Sequence, residues 1–247
     1  MPRPVWFEIP ADDMQRAIKF YADAFGWRIS KMEWTMEYWV IETPGGPGTC
    51  MGGAIMPRAA GACTRNTIDV PSLDECFEKI RGAGGRVVSD KMPIPSGMFA
   101  VCVDTEGNEF GVMELSPGNM PEIRQVQANG VLGVTHFDLP ADDVARAIGF
   151  YETVFGWQIS KWEGPMDYWM VSTGPASELG MDGGLLARQE GACNANTVKV
   201  PDADEYAGKV EAAGGSITMD KHELPGVGWY VMCEDTEGNG FGLLQPL

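Results

Sequence analysis

The residues best suited to chemistry stand two apart near the middle of the chain: His136 and Asp138, in the run VTHFDLP. Side chains alternate across a strand, so residues i and i+2 share a face at roughly 6–7 Å between Cα atoms. A carboxylate so placed can orient an imidazole or charge it, which is the arrangement of a general acid-base pair. The chain has only one other histidine, His222, in a stretch that reads as a loop. The same run recurs about 130 residues earlier as VWFEIP, with Trp6 and Glu8 at the places of His136 and Asp138. Any imidazole chemistry is therefore confined to the second copy.

The elements that must position these residues are legible. Val5–Ile9 alternates as a strand, with Trp6 and Glu8 on one face and Phe7 and Ile9 on the other. Asp12 is the expected N-cap of a helix whose apolar stripe is Ala17, Ile18, Tyr21, Ala24 and Phe25, and Gly26 suits a left-handed C-cap. Strands are expected at 27–31, 37–43 and, after a loop at Pro44–Gly48, about 50–56. A second unit opens with a strand at 67–70. Ser72 and Glu75 then have the spacing of a capping box before a helix that turns Leu73, Cys76, Phe77 and Ile80 inward. Strands at 86–89, 98–103 and 110–115 follow, the last two joined by the turn DTEGN (Asp104–Asn108). From Val131 the programme restarts, with Asp142 as cap, helix end at Gly156 and a fourth unit from 196. Its helix carries Asp202 and Glu205 at the capping spacing, and DTEGN recurs at Asp235–Asn239. The opening forty residues of the two halves are about half identical. Four βαβββ units in two tandem pairs follow, each unit too small to bury its sheet face alone. The expected domains are 1–116 and 131–247, with 117–130 as linker.

Composition narrows the partners. The formal charge is −17, and no cluster of Lys and Arg interrupts it. That excludes a nucleic-acid groove or an anionic-membrane patch, and it favours neutral or cationic ligands. No run approaches the ~18 apolar residues of a membrane span, and no secretory leader is expected. The six cysteines contain no C-x-x-C. They are expected to be reduced, with Cys63 and Cys193 as small core residues, and the protein cytoplasmic.

The combination PADDxxRAIxFYxxxFGW, NT[IV]xVP, AGG and DTEGNxFG, twice over in this order, resembles the vicinal oxygen chelate superfamily of glyoxalase I, extradiol dioxygenases and bleomycin-resistance proteins. The resemblance covers nearly the whole chain outside the linker. It implies an α+β fold in which paired βαβββ modules curl mixed sheets into two half-open barrels, each with a ligand cavity on its concave face. In glyoxalase-like members a divalent metal is held from the first and last strands of the modules and acts as a Lewis acid. Here those positions carry Trp6, Arg65 and Gly111 in the first half, and His136, Ala195 and Gly242 in the second, with Asp182 as an off-register substitute. One histidine does not make a site that needs three or more donors. The expectation is therefore no metal, with one divalent ion in the second domain as the alternative.

Strand alternation assigns the cavity linings: Trp6, Glu8, Arg65, Thr67, Asp69, Gly111 and Met113 in the first half, His136, Asp138, Thr197, Lys199, Gly242 and Leu244 in the second. Tyr38 or Trp39, and Tyr168 or Trp169, supply an aromatic wall. His136 and Asp138 are the candidate catalytic pair. The leading expectation is a small-molecule binding protein without the family metal. The alternatives are a metal-dependent glyoxalase-like lyase or dioxygenase, and a non-catalytic duplicated scaffold. Two fused pairs can satisfy within one chain the interface that single-pair relatives form by dimerising, so a monomer with an internal pseudo-dimer is expected.

Overall fold

The structure, a computed structural model, describes residues 1–43, 51–116, 132–175 and 178–247. The expected loop at Pro44–Gly48 and linker 117–130 lie outside the described residues. The first module is β1 (Arg3–Ala11), α1 (Met14–Phe25), β2 (Arg28–Lys31), β3 (Trp39–Glu42) and β4 (Gly52–Pro57). The second is β5 (Arg65–Asp69), α2 (Leu73–Gly82), β6 (Arg86–Val87), β7 (Met92–Ile94), β8 (Gly97–Val103) and β9 (Glu109–Leu115). The third repeats the first as β10 (Val134–Ala141), α3 (Val144–Phe155), β11 (Gln158–Lys161), β12 (Tyr168–Ser172) and β13 (Asp182–Ala187). The fourth is β14 (Ala195–Lys199), α4 (Ala203–Ala212), β15 (Ser216–Leu224), β16 (Gly228–Glu234) and β17 (Gly240–Pro246).

Two mixed sheets result, ordered β2-β3-β4-β1-β5-β9-β8-β6, with β7 on β8, and β11-β12-β13-β10-β14-β17-β16-β15. The pairs β5/β9 and β14/β17 are parallel, and β8/β9 and β16/β17 beside them are antiparallel. This is the α+β architecture that the repeats imply.

Local signals place most boundaries. Gly26 and Gly156 close their helices in the left-handed region, at φ 68° and 73°. Ser72 and Asp202 cap α2 and α4 by accepting from the Glu75 and Glu205 N–H groups. Three expectations shift. The caps of α1 and α3 are Asp13 and Asp143, one residue later than expected, because β1 and β10 run on through Pro10 and Pro140 to an alanine. His222 is not in a loop but in β15, opposite Tyr230. Cys63 and Cys193 are not core thiols: they are half-buried and exposed, and both are disulfide-bonded. Cys76, Cys102 and Cys233 are free and buried, and loss of solvation pushes their thiols up to about 11, 12 and 12.

Backbone contacts gather the described residues into two compact units, Met1–Trp6 with Arg65–Gln125 and Phe137–Asn194, and Phe7–Thr64 with Val126–His136 and Ala195–Leu247. The first unit thus joins the second and third modules. Its core is Phe137, Phe150, Tyr151, Phe155 and Trp157, with Phe110 edge-on to Phe150 and Phe155, and α2 packs on α3. The second unit joins the first and fourth modules around Phe7, Phe20, Tyr21, Phe25 and Trp27. Phe25 meets Tyr206 and Phe241, and α1 packs on α4.

The DTEGN repeats make these unions. In the first unit Asp104, buried, accepts from the N–H groups of Glu106 and Asn108, from Asn108 Nδ2 and from the Tyr151 hydroxyl at 2.8 Å. Glu106, its side chain fully enclosed, takes two bonds from Arg146, at 2.7 and 2.9 Å, and one from the Asp143 N–H. Arg188 closes the clamp on the Glu106 carbonyl and Asn108 Oδ1. The second unit repeats it: Asp235 with Tyr21, Glu237 with Arg16 and the N–H groups of Asp12 and Asp13, and Arg58 on the Glu237 carbonyl and Asn239.

Candidate functional site

In the second unit, β14, β17, β16 and β15 build one continuous face. Val198 and Leu243 point to the core, so Thr197, Lys199, Gly242 and Leu244 take the opposite side. Thr197 stands opposite Gly242, and Lys199 opposite Leu244. Across β17 lie Tyr230, opposite Leu244, and Met232, opposite Gly242. His222 pairs with Tyr230, ring edge-on at 5.7 Å between centroids. Its Nδ1 lies 3.1 Å from the Asp220 carbonyl.

Bare Gly242 is what this arrangement requires. A Cβ there would lie 2.4 Å from the Tyr230 hydroxyl and 2.6 Å from Thr197 Oγ1, so the tyrosine folds across the glycine onto the threonine. The Tyr230 hydroxyl donates to Met232 Sδ at 3.4 Å. Thr197 is 2% exposed, and its hydroxyl has no hydrogen-bond partner. His136, half-buried, belongs to this unit, on β10, the strand beside β14 in the sheet order. So do Glu8 and Tyr38, both buried, with the Tyr38 hydroxyl donating to Glu8 Oε1 at 3.0 Å.

The first unit carries the counterpart face with different chemistry. Thr67 stands opposite Gly111, and Asp69 opposite Met113. Phe99 pairs with Met113 on β9 and with Met92 on β7. A Cβ on Gly111 would lie 2.3 Å from Thr67 Oγ1 and 2.6 Å from the Phe99 ring. The Thr67 hydroxyl is buried without a partner, like its equivalent. Arg65 lies over the Phe99 ring at 5.5 Å and 3.9 Å from Glu109. Trp6, half-buried, belongs to this unit as well.

Asp138 has a definite partner in the same unit, the Tyr168 hydroxyl at 2.7 Å. That bond depends on Gly184, where a Cβ would fall 1.8 Å from the tyrosine oxygen. Tyr168 and Trp169 are neighbours in β12 and face opposite ways, so they do not share a wall, and Tyr38 immediately precedes β3. The tryptophans instead lie under Lys31 and Lys161, at 5.7 and 5.3 Å. Phe99, Tyr230 and His222 escaped sequence reading. Their signal was available only as cross-strand register: an aromatic placed to cover a glycine on the next strand.

The donor set does not fit the divalent ion of the relatives. Among the described residues no three of His, Cys, Asp or Glu come together. The glycines at 111 and 242 cannot be read as vacant donor positions, because Phe99 and Tyr230 fill the space a side chain would need. Asp182 is committed elsewhere: it accepts from the Thr173 N–H at 2.8 Å and hydroxyl at 3.1 Å, and from Arg3 at 3.4 Å.

Comparison with known proteins bears on family and fold. The model for the bleomycin resistance protein-like N-terminal family matches residues 3–44 and 134–174, the opening stretch of each half. A glyoxylase-like domain-containing protein of Didymella fabae is 30% identical over 42% of this chain and 88% of its own length. CFP32 of Mycobacterium bovis, named as a glyoxylase, is 28% identical over 98% of this chain and 94% of its own. Among solved structures, the Mn(II)-bound glyoxalase of Novosphingobium aromaticivorans superposes with a TM-score of 0.67 at 15% identity. That superposition covers 98% of this chain and 82% of that one. The 2,3-dioxygenase LapB of Pseudomonas sp. KL28 gives 0.66 at 12% identity, covering 98% and 91%. At such identities the structures establish a shared fold.

Proposed function

Because this chain belongs to the vicinal oxygen chelate superfamily, we propose that it binds a small organic molecule, neutral or cationic, on the sheet face built around Thr197, Lys199, Tyr230 and Gly242, without the metal of its glyoxalase-like relatives. The observation that supports this is the pair of glycines at the donor positions, each covered by an aromatic ring from the next strand. A ring over a glycine makes an apolar platform with a few polar groups, the general composition of a small-molecule site. The net charge of −17 disfavours anionic ligands at long range. His136 and Glu8 then belong to the unit that carries this face, while Trp6, Arg65, Asp69 and Asp138 give the other unit its different polarity. The protein acts as a monomer in this reading.

A second reading, a glyoxalase-like lyase or dioxygenase, is favoured by His136 and by the name of the mycobacterial relative that spans nearly the whole chain. Metal analysis of the purified protein separates the two. The first expects a divalent content well below one per chain, and a stoichiometric ion that survives dialysis would overturn it. A thermal-shift screen of small organic molecules tests binding itself. No stabilisation by any member would leave a duplicated scaffold as the better account.

A further inference from the structure

The hydroxyls of Thr197 and Tyr230, we propose, form a two-donor seat for one carbonyl oxygen of an apolar ligand, beside Gly242. This deepens the small-molecule reading above and rests on it.

Thr197 is buried, and its hydroxyl has no partner. A buried hydroxyl without a partner keeps its desolvation cost until something occupies it. Tyr230 reaches the same place from the neighbouring strand. Its hydroxyl lies 2.4 Å, and Thr197 Oγ1 2.6 Å, from the point where a Cβ on Gly242 would stand, so the two oxygens are no more than about 5 Å apart. One oxygen atom spans such a gap with two O–H···O bonds of ~2.7–2.8 Å each. A carbonyl oxygen suits the seat because it accepts two bonds and offers no donor of its own. Tyr230 would exchange a thioether acceptor, Met232 Sδ, for an oxygen. Leu244, Met232 and the His222 ring on the same face receive the apolar remainder.

The other half is a built-in control. Thr67 and Gly111 repeat the threonine and the glycine, but the ring above them belongs to Phe99 and carries no hydroxyl. Among the described residues, one seat follows.

The test is a titration of the full-length protein, followed by backbone amide correlation spectra, with acetophenone, with α-methylstyrene (the same shape without the oxygen), with benzylamine and with benzoate. Acetophenone is expected to shift the amides of Thr197, Tyr230 and Gly242 and to bind at least about tenfold more tightly than α-methylstyrene. Tyr230→Phe and Thr197→Val should each abolish that preference and leave α-methylstyrene unchanged, while Thr197→Ser should retain it. Phe99→Tyr should add a second response at Thr67 and Gly111. Equal binding of acetophenone and α-methylstyrene, or variants that bind as the parent does, would overturn the seat. Stronger binding of benzoate would also overturn it and transfer recognition to Lys199. If the hydrocarbon or the amine binds this face independently of both hydroxyls, the seat alone fails. If none of the four probes moves an amide, the small-molecule reading fails with it.

Discussion

At the scale of single residues, a glycine can be required by space or by backbone angle, and this chain separates the two. Gly242 has an ordinary backbone but no room: an added methyl would meet the Tyr230 ring and Thr197. Gly242→Ala should therefore displace the tyrosine, visible as a change in its ring resonances, and cost about 1–3 kcal/mol in urea unfolding. At Gly26 nothing lies within 4 Å of an added Cβ, but φ is +68°. There the same substitution should cost about 1 kcal/mol through the left-handed backbone alone, without changing any ring. Sequence reading anticipated the cap at Gly26 because helix and cap are neighbours in the chain. At 111 and 242 the sequence shows only glycines of the cavity lining, because the rings that cover them are fixed by strand register. His222 was misplaced for a related reason. The Pro-Gly turn that follows it marks the end of β15, and the strand's own residues are too polar to announce themselves.

At the scale of elements, the DTEGN turn was legible as a turn: Gly107 and Gly238 have φ of +87° and +80°. Its second role was not legible, because the partners of Asp104 and Glu106 lie forty or so residues away and Tyr151 reads locally as part of an apolar stripe. The clamp makes a pH prediction. Burial pushes the Glu106 carboxyl up, but Arg146, the Asp143 N–H and Thr105 together hold it down at about 2. A carboxyl depressed in the folded state contributes stability that is complete above its unfolded value, ~4.3, and lost as the pH falls towards 2. Glu106→Gln should thus destabilise by about 3 kcal/mol at pH 7, and its difference from the parent protein should shrink between about pH 4.5 and 2. A difference that does not vary over that range would show that the charge of Glu106 is not what the clamp uses. Asp104 acts in the opposite sense. Desolvation raises its carboxyl despite the bonds from Tyr151 and Asn108, so protonating it relieves a cost. Tyr151→Phe should accordingly lower stability by about 1–3 kcal/mol, because it leaves a buried carboxylate oxygen short of a donor.

At the scale of the whole molecule, sheet order and packing draw their partners differently. The first sheet is made by the first and second modules, yet the second module's clamp closes on the third module, not the first. The repeat supplies a substitute, since Arg16 and Tyr21 of the first module occupy the places of Arg146 and Tyr151 and are clamped in the same way by Glu237 and Asp235. A protein made of residues 1–116 alone would therefore present a DTEGN turn with no third module to grip, and an Arg16–Tyr21 helix with no fourth. Two copies can satisfy both demands reciprocally, Glu106 of each holding Arg16 of the other, in the isologous arrangement of a twofold dimer. The expected result in light scattering is a dimer of 1–116 beside a monomer of the full chain. The dimer's unfolding midpoint should rise with concentration and fall in the Glu106→Gln variant. A folded, monomeric 1–116 would mean that the sheet and its own helices suffice, and that the clamp is an ornament of duplication and not its cause.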